Sequence, residues 1–118
     1  MEEKQNIDEL VAQATEPFRR KVVGQVDDYC AFIVRIEGAY LFHQHPKDEL
    51  YLVLEGELAL DYADGASVTL KKGDSVVARA GQRHRSRSDE GATVLIFKDR
   101  TCLRGRTTGQ ENPDRRKK

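Results

Sequence analysis

The sequence predicts an all-β domain, a sandwich or barrel preceded by a short helix. Three observations lead there: about eight short alternating or apolar segments, Gly-bearing turns between them at regular spacing, and no helical period of any length after Pro17. The helix comes first. Ile7, Leu10, Val11 and Ala14 form an i, i+3, i+4, i+7 stripe, Asn6 is the N-cap, Asp8 and Glu9 occupy the first turn, and Pro17 stops the run. Strands are expected at Lys21 to Val26 and Tyr29 to Glu37, flanking Asp27-Asp28. In the second, Cys30, Phe32, Val34 and Ile36 alternate with Tyr29, Ala31, Ile33 and Arg35. Ala39 to His45 continues in the same manner after Gly38. Leu50 to Leu54 is an unbroken apolar run, Glu55-Gly56 reads as a turn, and Glu57 to Ala63 alternates again. Asp64-Gly65 is a hairpin signal. Ser67 to Lys71, Ser75 to Ala78, Arg83 to Ser88 and Thr93 to Lys98 follow, separated by Lys72-Gly73-Asp74, Ala80-Gly81 and Glu90-Gly91.

With 118 residues, the chain is one domain's worth, long enough to bury a core. We divide it into an N-terminal helix and arm (1–20), a β-barrel domain (21–103) and a basic tail (104–118) whose composition predicts disorder. Twenty basic residues against 20 acidic ones remove the long-range field of a nucleic-acid binder. No apolar run reaches the ~18 residues of a membrane span, and Met1-Glu2-Glu3-Lys4-Gln5 lacks the order of a signal peptide. Cys30 and Cys102 form no C-x-x-C pair, so Cys30 reads as a packed small hydrophobe, Cys102 as an incidental thiol, and a reducing, cytoplasmic setting is expected.

The three histidines carry the chemistry. His43 and His45, two apart on a strand, present imidazoles to one face. Pro46 bends the chain, so that Glu49 can return toward the same point as an oxygen donor, and His84, 35 residues beyond Glu49, can close the set from a neighbouring strand. Three imidazoles and one carboxylate suit a divalent transition metal: Fe, Mn, Ni, Co, Cu or Zn.

At these residues the sequence resembles the cupin superfamily, whose first motif reads Gly38, His43, His45, Glu49, Gly56 here and whose second reads Gly73, Arg79, Gly81, His84, Ser88. Glu57 to Lys72 corresponds to the short inter-motif spacer of compact bacterial members, and the resemblance covers about Tyr29 to Phe97. Gly38 stands one residue closer to His43 than the family spacing, Arg79 replaces the motif proline, and Ser88 replaces the asparagine; all four ligand positions are filled. The resemblance implies a jelly-roll-like barrel with a metal held by His43, His45, Glu49 and His84, leaving two adjacent coordination positions open.

Members of the superfamily include dioxygenases, sugar and sugar-phosphate isomerases and non-catalytic binding proteins, so the fold does not select the chemistry. The expectation adopted is a small dioxygenase-like, metal-dependent enzyme acting on a small oxygenated molecule. The alternatives are a non-catalytic small-ligand binder and an isomerase. Tyr40, Tyr51, Tyr62 and Gln44 are candidates to surround the metal ligands. Arg79 is a candidate to grip a substrate anion at the barrel mouth. Arg83, Arg85 and Arg87 alternate with His84 and read as a solvated, edge-protecting strand face. Exposed edge strands, with the resemblance, imply a homodimer formed through N-terminal strand pairing.

Overall fold

The computed structural model describes residues 3–99. Helix α1 (Ile7–Gln13) is followed by strands β1 (Lys21–Val26), β2 (Tyr29–Ala39), β3 (Glu49–Tyr62), β4 (Ser67–Lys71), β5 (Ser75–Ala78) and β6 (His84–Asp99). Every strand pairing is antiparallel, in the order β1-β2-β6-β3-β4, with β5 also on β3. None of the described helices is long and apolar enough to cross a membrane. The all-β fold with one short helix is as the sequence predicts, and so is the cap: the Asn6 side chain accepts the Glu9 N–H at 2.9 Å.

Three local expectations are corrected. Glu55-Gly56 and Glu90-Gly91 do not turn the chain back; they bend single long strands, β3 and β6, so six strands replace the expected eight. Gly56 and Gly91 take φ of 80° and 96°, left-handed values that let each strand kink and continue. The ladder slips at the bends, between Val53 and Glu55 and again between Gly56 and Ala59. The first half of β3 therefore pairs with the far half of β6 and with β5, whereas its second half pairs with the near half of β6 and with β4. Two bent strands thus build both walls of the barrel. Ala39 to His45 is likewise not a strand: β2 ends at Ala39, after which the Tyr40 N–H donates to the Ser86 carbonyl at 3.1 Å and His43 bridges to the sheet, exchanging backbone hydrogen bonds of 2.8 and 2.9 Å with His84.

The main core lies between the walls and takes the inward phase of each strand: Phe32, Val34 and Ile36 from β2, Tyr51, Val53, Leu58 and Leu60 from β3, and Val94 and Ile96 from β6. The helix stripe packs elsewhere. Leu10 and Ala14, with Ile7 and Val11 beside them, cover Ile33 on the opposite face of β2, so this strand is apolar on both sides. Cys30 is a small core residue, but it is disulfide-bonded rather than a separate thiol. β2 begins opposite the end of β6, Tyr29 against Asp99, and the Cys30 Sγ lies 3.7 Å from the Asp99 carbonyl oxygen. The expectation of a reducing setting loses that support. Cys102 and the tail at 104–118 lie outside the described residues.

Of the arginine face, Arg83 is exposed as expected, but Arg85 and Arg87 do not stand on an edge, because β6 lies inside the sheet between β2 and β3. Arg85 and Arg87 converge on Asp61 of β3, with Nε to Oδ2 distances of 2.9 and 2.8 Å, while Ser67 donates to Oδ1 at 2.8 Å. The hydrogen bonds from Arg87, then Ser67 and Arg85, hold the Asp61 carboxyl well below the usual carboxylate range despite its burial. Its contribution to stability is complete above the unfolded carboxyl's pKa, about 3.9, and is lost as pH falls toward the lowered folded value. Asp61→Asn is expected to cost about 1.5–3 kcal/mol at neutral pH, the range for hydrogen bonds to a charged group. It should also flatten this part of the acid dependence, as read by urea unfolding at about pH 7 and about pH 3.

Candidate metal centre

The irregular segment after β2 carries His43 and His45, Glu49 opens β3, and His84 opens β6. The His43–His84 bridge sets the two rings side by side, their centroids 4.7 Å apart, and the His45 ring lies 4.8 Å from that of His43. One donor atom from each of His43, His45, Glu49 and His84 lies within 4.8 Å of all the others. Donors bound at about 2.1 Å stand about 3.0 Å apart when adjacent and about 4.2 Å when opposite, so small side-chain rotations would close this set around an ion.

The hydrogen bonds prepare the donors. His43 Nδ1 contacts the Leu41 carbonyl at 2.9 Å and His84 Nδ1 the Gln82 carbonyl at 2.8 Å. A carbonyl only accepts, so both Nδ1 atoms carry a proton; His43 Nε2 keeps its lone pair, whereas His84 Nε2 donates to the Glu49 carboxylate. His84 Nε2 lies 3.2 Å and His45 Nε2 3.6 Å from Glu49 Oε1, the oxygen that also accepts the Tyr51 hydroxyl at 2.8 Å. Glu49 Oε2 meets the Lys98 ammonium at 3.2 Å.

Burial lowers the pKa of His43, and it lowers that of His45 to about 4. Burial alone would raise Glu49, but the His84 hydrogen bond and the Lys98 charge outweigh it and hold the carboxyl well below its ordinary range. For His84 burial acts downward, yet the hydrogen bonds to Glu49 and to the Gln82 carbonyl leave it raised. Burial and the Glu49 charge push the Tyr51 hydroxyl upward, so it donates to Glu49 as a neutral phenol. Neutral His43 and His45 beside an ionised Glu49 form a donor set suited to a divalent cation, which would displace the His84 proton.

A cavity of about 80 Å³ adjoins the cluster; His43, His45 and Glu49 form one side of it, and Tyr40, Phe32, Ile96 and Ser86 are among its walls. Of the other sequence candidates, Tyr40 lines this cavity with its ring 6.0 Å from that of His43, and Tyr51 holds Glu49. Tyr62 packs against the core away from the cavity, and Gln44 is exposed. Arg79 lies outside the barrel interior: its Nη1 pairs with Asp48 at 3.1 Å beside a separate surface cleft.

Sequence reasoning missed Phe18, Arg20 and Lys98, all of which line the cavity. Lys98 had a readable signal. It shares the phase of Ala92, Val94 and Ile96, so its side chain follows theirs inward. Phe18 and Arg20 had none, because they enter through a left-handed Phe18, φ 65°, that no pattern announces.

The comparisons agree with this geometry. Residues 32–97 match the family model described as Cupin domain. The chain is 36% identical over 89 residues to the Bacillus subtilis protein YdbB, spanning 75% of this chain and 79% of that one. Among solved structures, a cupin-2 domain containing protein from Shewanella frigidimarina superposes with a TM-score of 0.76 at 25% identity, covering 80% of this chain and 93% of that chain. The hydroquinone 1,2-dioxygenase PnpCD, at 22% identity and a TM-score of 0.66 over 80% of this chain and 71% of its own, shares the fold. With the domain match spanning the three histidines, Glu49, all of β3 and most of β6, the chain belongs to the cupin family.

Proposed function

We propose that this cupin holds a divalent transition metal through His43, His45, Glu49 and His84 and is a small oxygenase-type enzyme acting on a small oxygenated molecule in the adjoining cavity. The observation that carries the reading is the convergence of four donor atoms within 4.8 Å at the wall of a cavity. A bound ion of this kind supplies Lewis acidity and open coordination positions. The chain's own residues do the rest. The Leu41 and Gln82 carbonyls orient His43 and His84, Tyr51 and Lys98 hold the Glu49 carboxylate, and the apolar walls limit water around whatever enters. PnpCD, a dioxygenase by name, is built on the same barrel, which is compatible with oxygen chemistry here.

A binding role without turnover is the second reading, and one observation favours it. Apart from the four proposed ligands, the ionisable groups lining the cavity are Arg20, Tyr40, Tyr51 and Lys98, and of these Tyr51 and Lys98 are engaged with Glu49. The cavity's volume weighs against a sugar phosphate, and so against the isomerase alternative. For assembly, Val22 and Val26 are exposed on the edge strand β1, which supports pairing of two copies there.

The test is elemental analysis of protein purified without an affinity tag or chelator, followed by oxygen uptake against diols, enols and thiols. Near-stoichiometric metal with substrate-dependent uptake is expected. Metal without uptake moves the reading to the binder, and absence of metal after reconstitution overturns it.

A further inference from the structure

Residues 79–82 join the segment that carries His45 and Glu49 to the strand that carries His84. The Gln82 carbonyl accepts the His84 Nδ1 proton at 2.8 Å, the Gly81 N–H donates to the His45 carbonyl at 2.8 Å, and Ala78, just before the loop, pairs with Glu49 where the β3–β5 ladder ends. Each N–H of the loop has an acceptor: Gln82 Oε1 for Arg79 at 3.2 Å, Asp48 Oδ1 for Ala80 at 2.7 Å, and the Arg79 carbonyl for Gln82 at 3.0 Å, besides the Gly81 bond. All four residues are exposed, so these bonds, rather than packing, fix the loop.

Asp48 supplies the side-chain part of that frame. It stands between His45 and Glu49 in the chain, takes the Ala80 N–H with one oxygen and Arg79 Nη1 with the other at 3.1 Å, and lines the outer cleft rather than the cavity. Of its two bonds the one to Ala80 matters more. The Arg79 pair is 70% and 52% exposed and contributes little, whereas a carboxylate accepting a backbone N–H at 2.7 Å is a short, charge-assisted contact that holds the facing chain where the ladder has run out. His45 depends on such a frame more than its partners do. Carbonyls meet His43 and His84 at Nδ1, but the polar and ring contacts of His45 among the described residues are with Glu49, His43 and His84 themselves, so its direction follows from its own backbone.

We propose that Asp48 is a positioning residue of the metal centre: its bond to Ala80 fixes residues 79–82, which set the directions of His45 through Gly81 and of His84 through Gln82. This assignment rests on the metal reading above, since it concerns how the same donors are aimed.

The test is titration of the chelator-treated full-length protein with Co(II), read by calorimetry and by visible absorption, whose bands report the arrangement of the donors. Asp48→Ala is expected to weaken Co(II) binding about tenfold or more, as loss of groups that aim metal ligands does, and to shift those bands. Asp48→Asn, which keeps an oxygen for Ala80, and Arg79→Ala, which removes only the exposed pair, should stay within about threefold of wild type. An unchanged affinity and spectrum in Asp48→Ala, with or without a fall in the metal-free melting temperature, would make Asp48 merely structural and overturn the proposal. A loss in Asp48→Asn as large as in Asp48→Ala would overturn it as well. Should Asp48→Ala fail to fold, Gln82→Ala, which strips the acceptor from the Arg79 N–H of the same loop, is read in its place, and an unchanged affinity there overturns the proposal. Co(II) uptake by the wild type with unaffected variants would leave the metal reading standing and remove this one, whereas no uptake by the wild type would remove both.

Discussion

His84→Ala is expected to purify with less than about a tenth of the wild-type metal and to unfold at a clearly lower temperature. The imidazole is 1% exposed, donates to the Gln82 carbonyl, and places Nε2 3.2 Å from Glu49. Its removal deletes one of four donors, and since loss of a group that merely orients a ligand costs about 10–100-fold in metal affinity, loss of a donor costs at least as much. The same substitution leaves a cavity and strips partners from Gln82 and Glu49, a destabilisation of about 3 kcal/mol. His43→Ala separates the two effects. That ring is less buried, so this variant should lose metal with a smaller drop in melting temperature. Elemental analysis and calorimetry on both variants provide the readout, and unchanged metal in both would remove the assigned centre.

Gly56→Ala is expected to destabilise the fold by about 3–5 kcal/mol, among the largest effects of any single substitution outside the site. Gly56 has φ 80°, and a Cβ there would run into the Gly91 carbonyl oxygen and lie 3.0 Å from the Ala92 Cα. Both obstacles are backbone on the partner bend, so neither can swing aside. Gly65→Ala is the control for the conformational part alone: φ is 100° there, nothing lies within 4 Å, and about 1 kcal/mol is expected. Urea unfolding measures both. Equal losses would show that the close approach of the two bends contributes nothing. Because the bend aims Glu49 at one end of β3 and leaves Tyr62 at the other, Gly56→Ala should also lower metal content.

The bends also show where the sequence could be read and where it could not. A Gly with left-handed φ looks the same in a turn as in a bulge; whether the chain returns or continues depends on which distant strand it pairs with, here β6 for both halves of β3. His43, His45, Glu49 and His84 were legible because few residue types offer such donors and their spacing resembles a known family motif. Arg79 shows the opposite outcome. Its residue type suits an anion site, yet a neighbouring Asp48 pairs with it and holds it outside the cavity.

Alternation and turn chemistry in the sequence determined the all-β class, the capped helix and the inward phase of most strands, because these depend on residues near one another in the chain, while residue type and motif spacing singled out the four donors. Tertiary structure alone decided that two glycine bends turn eight segments into six strands, that Asp61 draws in Arg85 and Arg87, that Lys98 meets Glu49, and that Phe18 and Arg20 close the cavity. The physical reason is common to all of these: each is a contact between segments distant in sequence, whose partners are set by sheet register and by the backbone turn at Phe18, and neither composition nor local periodicity encodes them.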